Sequence, residues 1–249
     1  RKIAAIDIGS NAVRMLICYV ISSGDEYVFQ KNSYLRLPIR LGEDSFKNGI
    51  ISNKKIILLT NAILSFKYIM KVHGIKEYKI YATSALRESV NSKEVISIVK
   101  KNTDLNIELI TGLKEAKIIS KGNSLEKIEF NKTFLYVDVG GGSTEFSILR
   151  KGKEKISRSF KIGTVRLLNN LVDDSILIDV KNWLRSNIDN DDKIKLFATG
   201  GNINKIQSMT GSKSGKPISY LSIKDLSNTL ISFNYEERMV KFDLNPDRA

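Results

Sequence analysis

Apolar positions along the chain fall into a pattern that occurs twice. In the first half, residues 2–7 form an apolar run that ends in the turn Asp-Ile-Gly-Ser-Asn, and residues 13–21 form a second, mostly apolar run. In the second half, residues 133–138 end in Asp-Val-Gly-Gly-Gly-Ser and are followed by the apolar run 144–149. Short apolar runs bounded by turn residues are typical of buried strands. The sequence therefore predicts two hairpins of the same design.

The similarity continues beyond each hairpin. A third extended segment follows in both halves, at 26–37 and at 155–162, and helical sequence comes next. Each half then has a strand with a similar ending, Tyr-Ala-Thr-Ser-Ala at 81–85 and Phe-Ala-Thr-Gly-Gly at 197–201. Two copies of one βββαβα-like unit explain this order better than one irregular domain.

The predicted helices indicate where the first copy ends and the second begins. Apolar residues at intervals of three and four predict a helix over 52–74, and a start resembling a capping box predicts another over 91–101. A short helix over 114–121 is expected to join the copies, because no Pro-rich or Ser-rich linker occurs. We therefore expect two α/β domains, 1–120 and 121–249.

Composition indicates a folded chain and narrows its chemistry. The 249 residues are 42% hydrophobic and 27% charged, which is ordinary globular usage and excludes wholesale disorder. Cys18 and His73 are the only cysteine and histidine, which are too few for a Cys/His zinc site. Without a further histidine for a nucleophile pair, any hydrolysis is expected to use carboxylates.

The formal net charge of +13 favours polyanionic partners. Nucleic acid, anionic lipid and polyphosphate are all possible partners. The charge is equally explained by a general preference for lysine in the sequence, because lysines well outnumber arginines. No aromatic-rich strand motif or helix-turn-helix signature indicates a nucleic-acid site. No apolar run approaches the length of a membrane span, and a single cysteine fits a reducing compartment. We expect a cytoplasmic protein with neither a membrane span nor a dedicated nucleic-acid site.

The two glycine turns are candidate anion-binding sites. A glycine turn that leaves a buried strand can direct several backbone N–H groups at one anion, because glycine has no Cβ to block close approach. A lone turn of this kind more often serves only as a tight hairpin, but its recurrence in matching positions favours binding. The candidate phosphate-binding residues are Gly9, Ser10, Asn11 and Arg14 in the first turn and Gly140, Gly141, Gly142 and Ser143 in the second.

Carboxylates lie beside both turns. Oxygen ligands are the donors that Mg2+ prefers, and a cation held there would face phosphate oxygens. The candidate metal ligands are Asp7, Asp138 and Glu145.

Seven segments of the chain match the sequence motifs of a known enzyme family, in the same order. They are DIGSNAVRM, ATSALRES, LITGLKEAKII, VDVGGGSTEF, FKIGTVRL, ATGGNINKI and DLNPDRA. Together they resemble the exopolyphosphatase and guanosine pentaphosphate phosphohydrolase (Ppx/GppA) family over nearly the whole chain. That family belongs to the superfamily of actin, sugar kinases and heat-shock ATPases. The resemblance thus implies two ribonuclease H-like domains with an active-site cleft between them, in the short form without an added helical domain.

The resemblance also implies residue roles. The family's catalytic base is the acidic residue before the Ala-Arg pair of a motif like SGxEEAR, which corresponds to Glu115 in TGLKEAK. Arg87 matches an arginine expected to contact phosphate, and its planar fork suits phosphate oxygens. Gly200 and Gly201 match a loop that lies near the nucleotide in related ATPases. Weaker phosphate candidates, which are expected to brace the turns by ion pairing, are Arg14 and Arg166.

The chain departs from the family pattern near these motifs. The departures are Thr111 for serine, Lys114 for glutamate, Lys117 for arginine and Asn202 for threonine. Lys117 keeps the charge of arginine but loses its bidentate fork. Lys114 puts a cation beside Glu115 and would make it a weaker base, unless the helix directs the two side chains apart.

The sequence therefore predicts a Mg2+-dependent phosphohydrolase whose water is activated by Glu115. The expected partner is inorganic polyphosphate, from which terminal phosphate is released, or guanosine pentaphosphate (pppGpp), which would be converted to ppGpp. Lys114 and Lys117 keep open a catalytically weak sensor of the same ligands. An ATP-dependent kinase of the same superfamily is less favoured, and formation of a homodimer stays open.

Overall fold

The computed structural model contains two mixed β-sheets, each with helices packed against it. It describes residues 1–24, 26–112, 114–115, 118, 133–150, 153–188, 194–212, 216–246 and 248. None of the helices in these ranges is long and apolar enough to cross a membrane.

The first sheet has five strands in the order β3-β2-β1-β4-β5. β1 pairs antiparallel with β2 and parallel with β4, and the β2–β3 pair is antiparallel. The elements of this half are β1 (Lys2–Ile8), β2 (Val13–Ser23), β3 (Glu26–Leu37), α1 (Leu41–Asn48), α2 (Asn53–Val72), β4 (Glu77–Ala82), α3 (Ser84–Arg87), α4 (Ser92–Thr103) and β5 (Glu108–Leu109).

The second sheet repeats the first four positions in the order β8-β7-β6-β9. β6 again pairs antiparallel with the next strand, β7, and parallel with β9. The elements of this half are β6 (Thr133–Val139), β7 (Thr144–Arg150), β8 (Lys153–Phe160), α5 (Thr164–Leu168), α6 (Asp174–Asn187), β9 (Ile194–Thr199), α7 (Gly201–Met209), α8 (Tyr220–Ile231) and α9 (Tyr235–Phe242). The duplicated α/β unit predicted from the sequence is confirmed.

A large apolar core fixes the first sheet against its helices. Alternating residues of β1 and β2 point to one face, as the period of a strand requires. Fully buried members of this core include Ile6, Ile8, Met15, Ile17, Leu59, Ile63 and Phe66. Each such side chain contributes about 1.5–3 kcal/mol by leaving water. The carboxyl ends of β1 and β4 are thereby held in fixed positions.

Two helix predictions of the first half are confirmed, but one predicted cap is wrong. Ser52 Oγ accepts the N–H of Lys55 at 3.4 Å and caps α2 as expected. The Asn91 side chain does not cap α4. It accepts the N–H of Ile51 at 3.0 Å and donates to the Ile51 carbonyl at 2.9 Å. A tertiary contact therefore takes the groups that a capping box would use.

The connection between the halves lies mostly outside the described residues. Of the helix expected over 114–121, the structure describes Lys114, Glu115 and Ile118, and the N–H of Glu115 donates to the Thr111 carbonyl at 2.9 Å. Lys117 and the boundary between residues 120 and 121 are not among them, so the division into two domains stays a prediction.

Candidate active site

The first glycine turn (residues 9–12) joins β1 to β2. Its carbonyl groups at Ser10 and Asn11 accept hydrogen bonds from the backbone N–H groups of Gly42 and Arg40, at 2.8 and 2.9 Å. In a trans peptide, a C=O group and the N–H group that follows it point in opposite directions. The next N–H groups of the turn therefore point away from the start of α1.

The second glycine turn (residues 140–143) is held in the same way by α5. Its three glycine carbonyls accept, in order, the N–H of Thr164 at 3.1 Å, the N–H of Val165 at 2.8 Å and Nε of Arg166 at 2.7 Å. The three N–H groups of residues 141–143 consequently point away from α5. None of them donates to another protein group within the described residues. Such a row of backbone donors is suited to bind an anion.

The two turns touch each other across the boundary between the sheets. A Cβ at Gly141 would lie 3.2 Å from the backbone nitrogen of Asn11. A Cβ at Gly142 would lie 2.2 Å from the Phe46 ring and 2.5 Å from Ser84 Oγ. The glycines of the second turn therefore serve close packing between the halves as well as access to the backbone.

Both turns face one cleft, a cavity of about 410 Å³. The predicted site residues that line it are Asp7, Gly9, Ser10, Asn11, Arg14, Glu115, Asp138, Gly140, Gly141 and Ser143. Gly200 and Gly201 are not among the described residues that line this cavity. Gly200 has φ +112°, and a Cβ there would lie 2.4 Å from the Val139 carbonyl oxygen, so close packing at the end of β6 accounts for this glycine.

Glu115 is a partly buried carboxylate at the edge of this cleft. Its side chain is 16% exposed, and Oε2 accepts a hydrogen bond from Arg87 Nη1 at 3.2 Å. Arg87 Nη1 also donates to the Ile110 carbonyl at 2.9 Å. Burial raises the pKa of Glu115 to about 8, the Glu145 carboxyl adds to this, and Arg87 opposes it. A carboxyl with a pKa in this range is suited to take up and release a proton near neutral pH.

Lys114 does not act on Glu115. Its Nζ pairs with Glu108 and lies 5.3 Å from the centroid of the Tyr81 ring. The two neighbouring side chains are thus directed apart, and the pKa of Glu115 is raised, not lowered. The expectation that Lys114 weakens the base is therefore wrong, and the alternative that the helix separates them is confirmed.

Of the three predicted metal ligands, Glu145 is the most buried. Glu145 is 3% exposed, and its Oε1 accepts a hydrogen bond from Ser159 Oγ at 2.8 Å. Burial raises the pKa of Glu145. Among the described residues, no three Asp, Glu, His or Cys side chains are close enough to hold a metal ion. The assignment of Asp7, Asp138 and Glu145 as metal ligands stays a prediction, in which Glu145 already has a hydrogen-bond partner in Ser159.

Asp7 and Asp138 remain suited to a hard cation. Both line the cleft, and Mg2+ is commonly held by one or two carboxylates with water and substrate phosphates as its other ligands. Partial withdrawal from water raises the pKa of Asp7, Arg14 opposes this at 3.3 Å, and the charge of Asp138 adds to it. A cation between the turns would offset this excess of negative charge. Thr199 Oγ1 donates to Asp138 Oδ1 at 2.5 Å and orients that carboxylate.

Several contacts around the turns are not evident from sequence. Ser10 Oγ and Ser84 Oγ form a buried hydrogen bond of 2.8 Å between the first turn and the start of α3. The Tyr-Ala-Thr-Ser-Ala motif marked that segment without indicating its partner. No sequence pattern indicated a role for Glu88, although it accepts a hydrogen bond from Arg166 at 2.6 Å. The prediction that Arg166 braces a turn is confirmed by its bond to Gly142.

Two known proteins are similar to this chain in sequence. The chain is 36% identical over 199 residues to a bifunctional 3-dehydroquinate synthase/phosphatase of Fusobacterium nucleatum, covering 74% of this chain and 30% of that protein. It is 29% identical over 174 residues to exopolyphosphatase 2 of Mycobacterium tuberculosis, covering 67% of this chain and 53% of that protein. The chain thus spans between about a third and a half of the length of these relatives.

Solved structures have the same fold. An exopolyphosphatase from Cytophaga hutchinsonii matches with a TM-score of 0.84 at 21% identity, covering 100% of this chain and 86% of that chain. A Ppx/GppA family member from Aquifex aeolicus matches with a TM-score of 0.73 at 22% identity, covering 99% and 84%. These matches confirm the predicted ribonuclease H-like, actin-like α/β fold. A sequence model described as the Ppx/GppA phosphatase family matches residues 20–249, and the chain therefore belongs to that family.

Proposed function

We propose that this protein is an exopolyphosphatase, a phosphohydrolase that removes terminal orthophosphate from inorganic polyphosphate. The observation that carries the proposal is that two sets of outward-directed backbone N–H groups and one partly buried carboxylate share a single cleft. Family membership and similarity to an exopolyphosphatase support the same reaction class.

The phosphate chain would bind between the turns. Backbone donors of residues 141–143 contact oxygens from one side, and the first glycine turn contacts them from the other. Fixed donors of this kind need no reorganisation when charge develops on the transferring phosphoryl group. Mg2+, held by Asp7 and Asp138, would supply further positive charge against the phosphate oxygens.

Glu115 would direct the attacking water. The water oxygen forms a bond to the terminal phosphorus, and the bond from that phosphorus to the bridging oxygen breaks. The water proton passes to Glu115, and the bridging oxygen leaves on a chain that is one phosphate shorter. Because the pKa of Glu115 is raised to about 8, this carboxylate is a stronger base than an ordinary glutamate. Arg87 holds the carboxylate in place through its hydrogen bond.

The 5′-triphosphate end of guanosine pentaphosphate presents the same kind of anhydride to this cleft. We therefore propose pppGpp as a second substrate, which the same cleft would hydrolyse to ppGpp. One argument for a catalytically weak sensor was the cation of Lys114 beside Glu115. That argument no longer holds, because Lys114 pairs with Glu108.

Phosphate release from polyphosphate, pppGpp and ATP tests the proposal. We expect Mg2+-dependent release from polyphosphate by the wild type and a loss of about 10²–10⁴-fold in Glu115→Gln, the range for removal of a general base. Greater release from pppGpp would identify the nucleotide as the preferred substrate. Phosphate transfer from ATP to an added acceptor without polyphosphate hydrolysis would contradict the proposal in favour of a kinase.

Glu108→Gln is the matched control. Glu108 is a nearby carboxylate that pairs with the exposed Lys114, and it is not among the residues that line the cavity. Its variant is expected to keep wild-type turnover. Equal turnover in Glu115→Gln and the wild type would remove Glu115 from the role of base.

A further inference from the structure

Arg166 contacts the second glycine turn and the first half of the chain at the same time. Its Nε donates to the Gly142 carbonyl at 2.7 Å, and its Nη2 donates to Glu88 Oε2 at 2.6 Å. The guanidinium carbon lies 3.9 Å from the centroid of the Phe46 ring. The Arg166 side chain is only 9% exposed, so these three contacts account for most of its surroundings.

The chemistry of arginine is needed for this arrangement. A planar guanidinium offers donors in fixed directions, so one side chain bonds a carbonyl and a carboxylate while its face packs on an aromatic ring. A lysine has the charge but a single ammonium group, which cannot reproduce all three contacts. Hydrogen bonds between charged groups in a buried site are stronger than those between neutral groups.

The link crosses the boundary between the two halves. Glu88 follows α3 and Phe46 lies in α1, whereas Gly142 and Arg166 belong to the second half. Lys161 also approaches Glu88, at 3.3 Å, but its side chain is 68% exposed. The buried Arg166 pair is therefore the part of this contact that is shielded from solvent screening.

The link also fixes one peptide unit of the presumed phosphate site. The Gly142 carbonyl points at Arg166, so the N–H group of Ser143 in the same peptide unit points the opposite way. The carbonyls of Gly140 and Gly141 are held by backbone donors, so among the three glycine carbonyls the described residues show a side-chain donor for Gly142 alone.

We propose that Arg166 and Glu88 are positioning residues, which set the second glycine turn in the conformation that presents its N–H groups to the phosphate chain. The inference rests on the proposed function and adds that the phosphate site is assembled by contact between the halves. When the Arg166–Glu88 pair is broken, the peptide unit of Gly142 and Ser143 is free to rotate, and a phosphate donor is lost.

Steady-state kinetics on the variants Arg166→Lys and Glu88→Gln test the effect on turnover. We expect kcat/KM for polyphosphate to fall about tenfold in each, less than the loss expected when an electrostatic donor is removed outright. The double variant is expected to be no slower than the slower single variant, because both changes break one link. Independent losses that multiply in the double variant would contradict the proposal.

Asp179→Asn is the matched control for a paired arginine. Arg158 forms a two-pronged pair with Asp179, at 3.1 and 2.6 Å, but this pair is exposed and lies wholly in the second half. Its loss is expected to leave kcat/KM unchanged. A tenfold loss in this variant as well would mean that any broken ion pair lowers turnover, which would overturn the positioning role.

Hydrogen exchange gives a readout that does not require activity. Amide exchange at Gly140, Thr164 and Val165, whose N–H groups form the hydrogen bonds that hold the second turn, is expected to be faster in Arg166→Lys and Glu88→Gln than in the wild type or in Asp179→Asn, at a temperature where all are folded. If the wild type releases no phosphate but exchange is faster in the two variants than in the wild type, the link is supported while the proposed function fails. An active wild type, with kinetics and exchange unchanged in Glu88→Gln, would overturn the inference.

Discussion

The two glycine turns have the same place in their sheets but are built differently. The first turn contains one glycine and is held by backbone donors at the start of α1. The second contains three glycines and is held by α5, with a side chain as its third donor. The first sheet also rests on a large core, whereas none of α7, α8 and α9 has a fully buried residue. The second turn therefore depends more on its neighbours than the first.

The largest difference is expected from alanine at the glycines that support each turn. A Cβ at Gly163 would lie 2.2 Å from the Gly141 carbonyl oxygen and 2.5 Å from the Gly142 nitrogen, both backbone atoms. Gly163→Ala must therefore displace the second turn. We expect kcat/KM to fall by about 100-fold and the free energy of unfolding to fall by about 1–3 kcal/mol, as for other overpacked sites.

Gly42→Ala is the corresponding change at the first turn. Its Cβ would meet the Phe46 ring at 2.7 Å, and a side chain can move aside at lower cost than backbone. Kinetics and urea unfolding of both variants compare the turns. An equal or larger loss in Gly42→Ala would contradict the view that the second turn is the more dependent one.

The next effect is expected from Arg87→Lys, which alters the first half alone. A lysine keeps a charge near Glu115 but cannot donate to both Glu115 and Ile110 in the same geometry. We expect kcat to fall about tenfold while amide exchange of the residues that hold the second turn stays as in the wild type. Unchanged kcat would mean that the orientation of Glu115 does not depend on Arg87.

A pH dependence follows from the raised pKa of Glu115. The base must be ionised, so kcat/KM of the wild type is expected to rise with pH through about 8, and Glu115→Gln should lack this step. Its stability contribution has the opposite sign. The folded pKa is about 8 against an ordinary 4.5, so this contribution is fully present below pH 4.5 and is lost as pH rises through 8.

Two profiles check this: kcat/KM against pH, and the urea midpoint against pH, for the wild type and Glu115→Gln. A wild-type profile of kcat/KM that is flat between pH 6 and 9 would exclude Glu115 as a base that titrates with a pKa of about 8.

The smallest effect is expected from Lys114→Ala. The side chain is directed at Glu108 and Tyr81, away from the cleft, and exposed ion pairs contribute little. We expect kcat/KM to change by less than about twofold. A rise of tenfold or more would mean that Lys114 restrains Glu115 after all.

Local patterns predicted the fold of both halves because each strand and turn is specified by nearby residues. The repeated glycine turns indicated one shared site, since each turn follows the corresponding strand of its own sheet, β1 in the first and β6 in the second. The sequence also indicated Glu115 and Arg87 through the family resemblance. These predictions depend on residues that are close along the chain or share a motif.

Contacts between distant residues were not predictable in this way. The hydrogen bond from Ser159 to Glu145 joins two neighbouring strands, β8 and β7. The direction of Lys114 depends on Glu108 in β5, and the role of Glu88 depends on Arg166 in the other half. Each requires knowledge of how elements pack, which no single segment contains.

Amide hydrogen exchange during titration with inorganic tripolyphosphate tests most directly whether both turns bind one phosphate chain. Residues 10–12 and 141–143 are expected to gain protection at the same tripolyphosphate concentration in the presence of Mg2+, because one ligand contacts both turns. Protection of only one turn, or protection of the two turns at clearly different concentrations, would contradict a shared site.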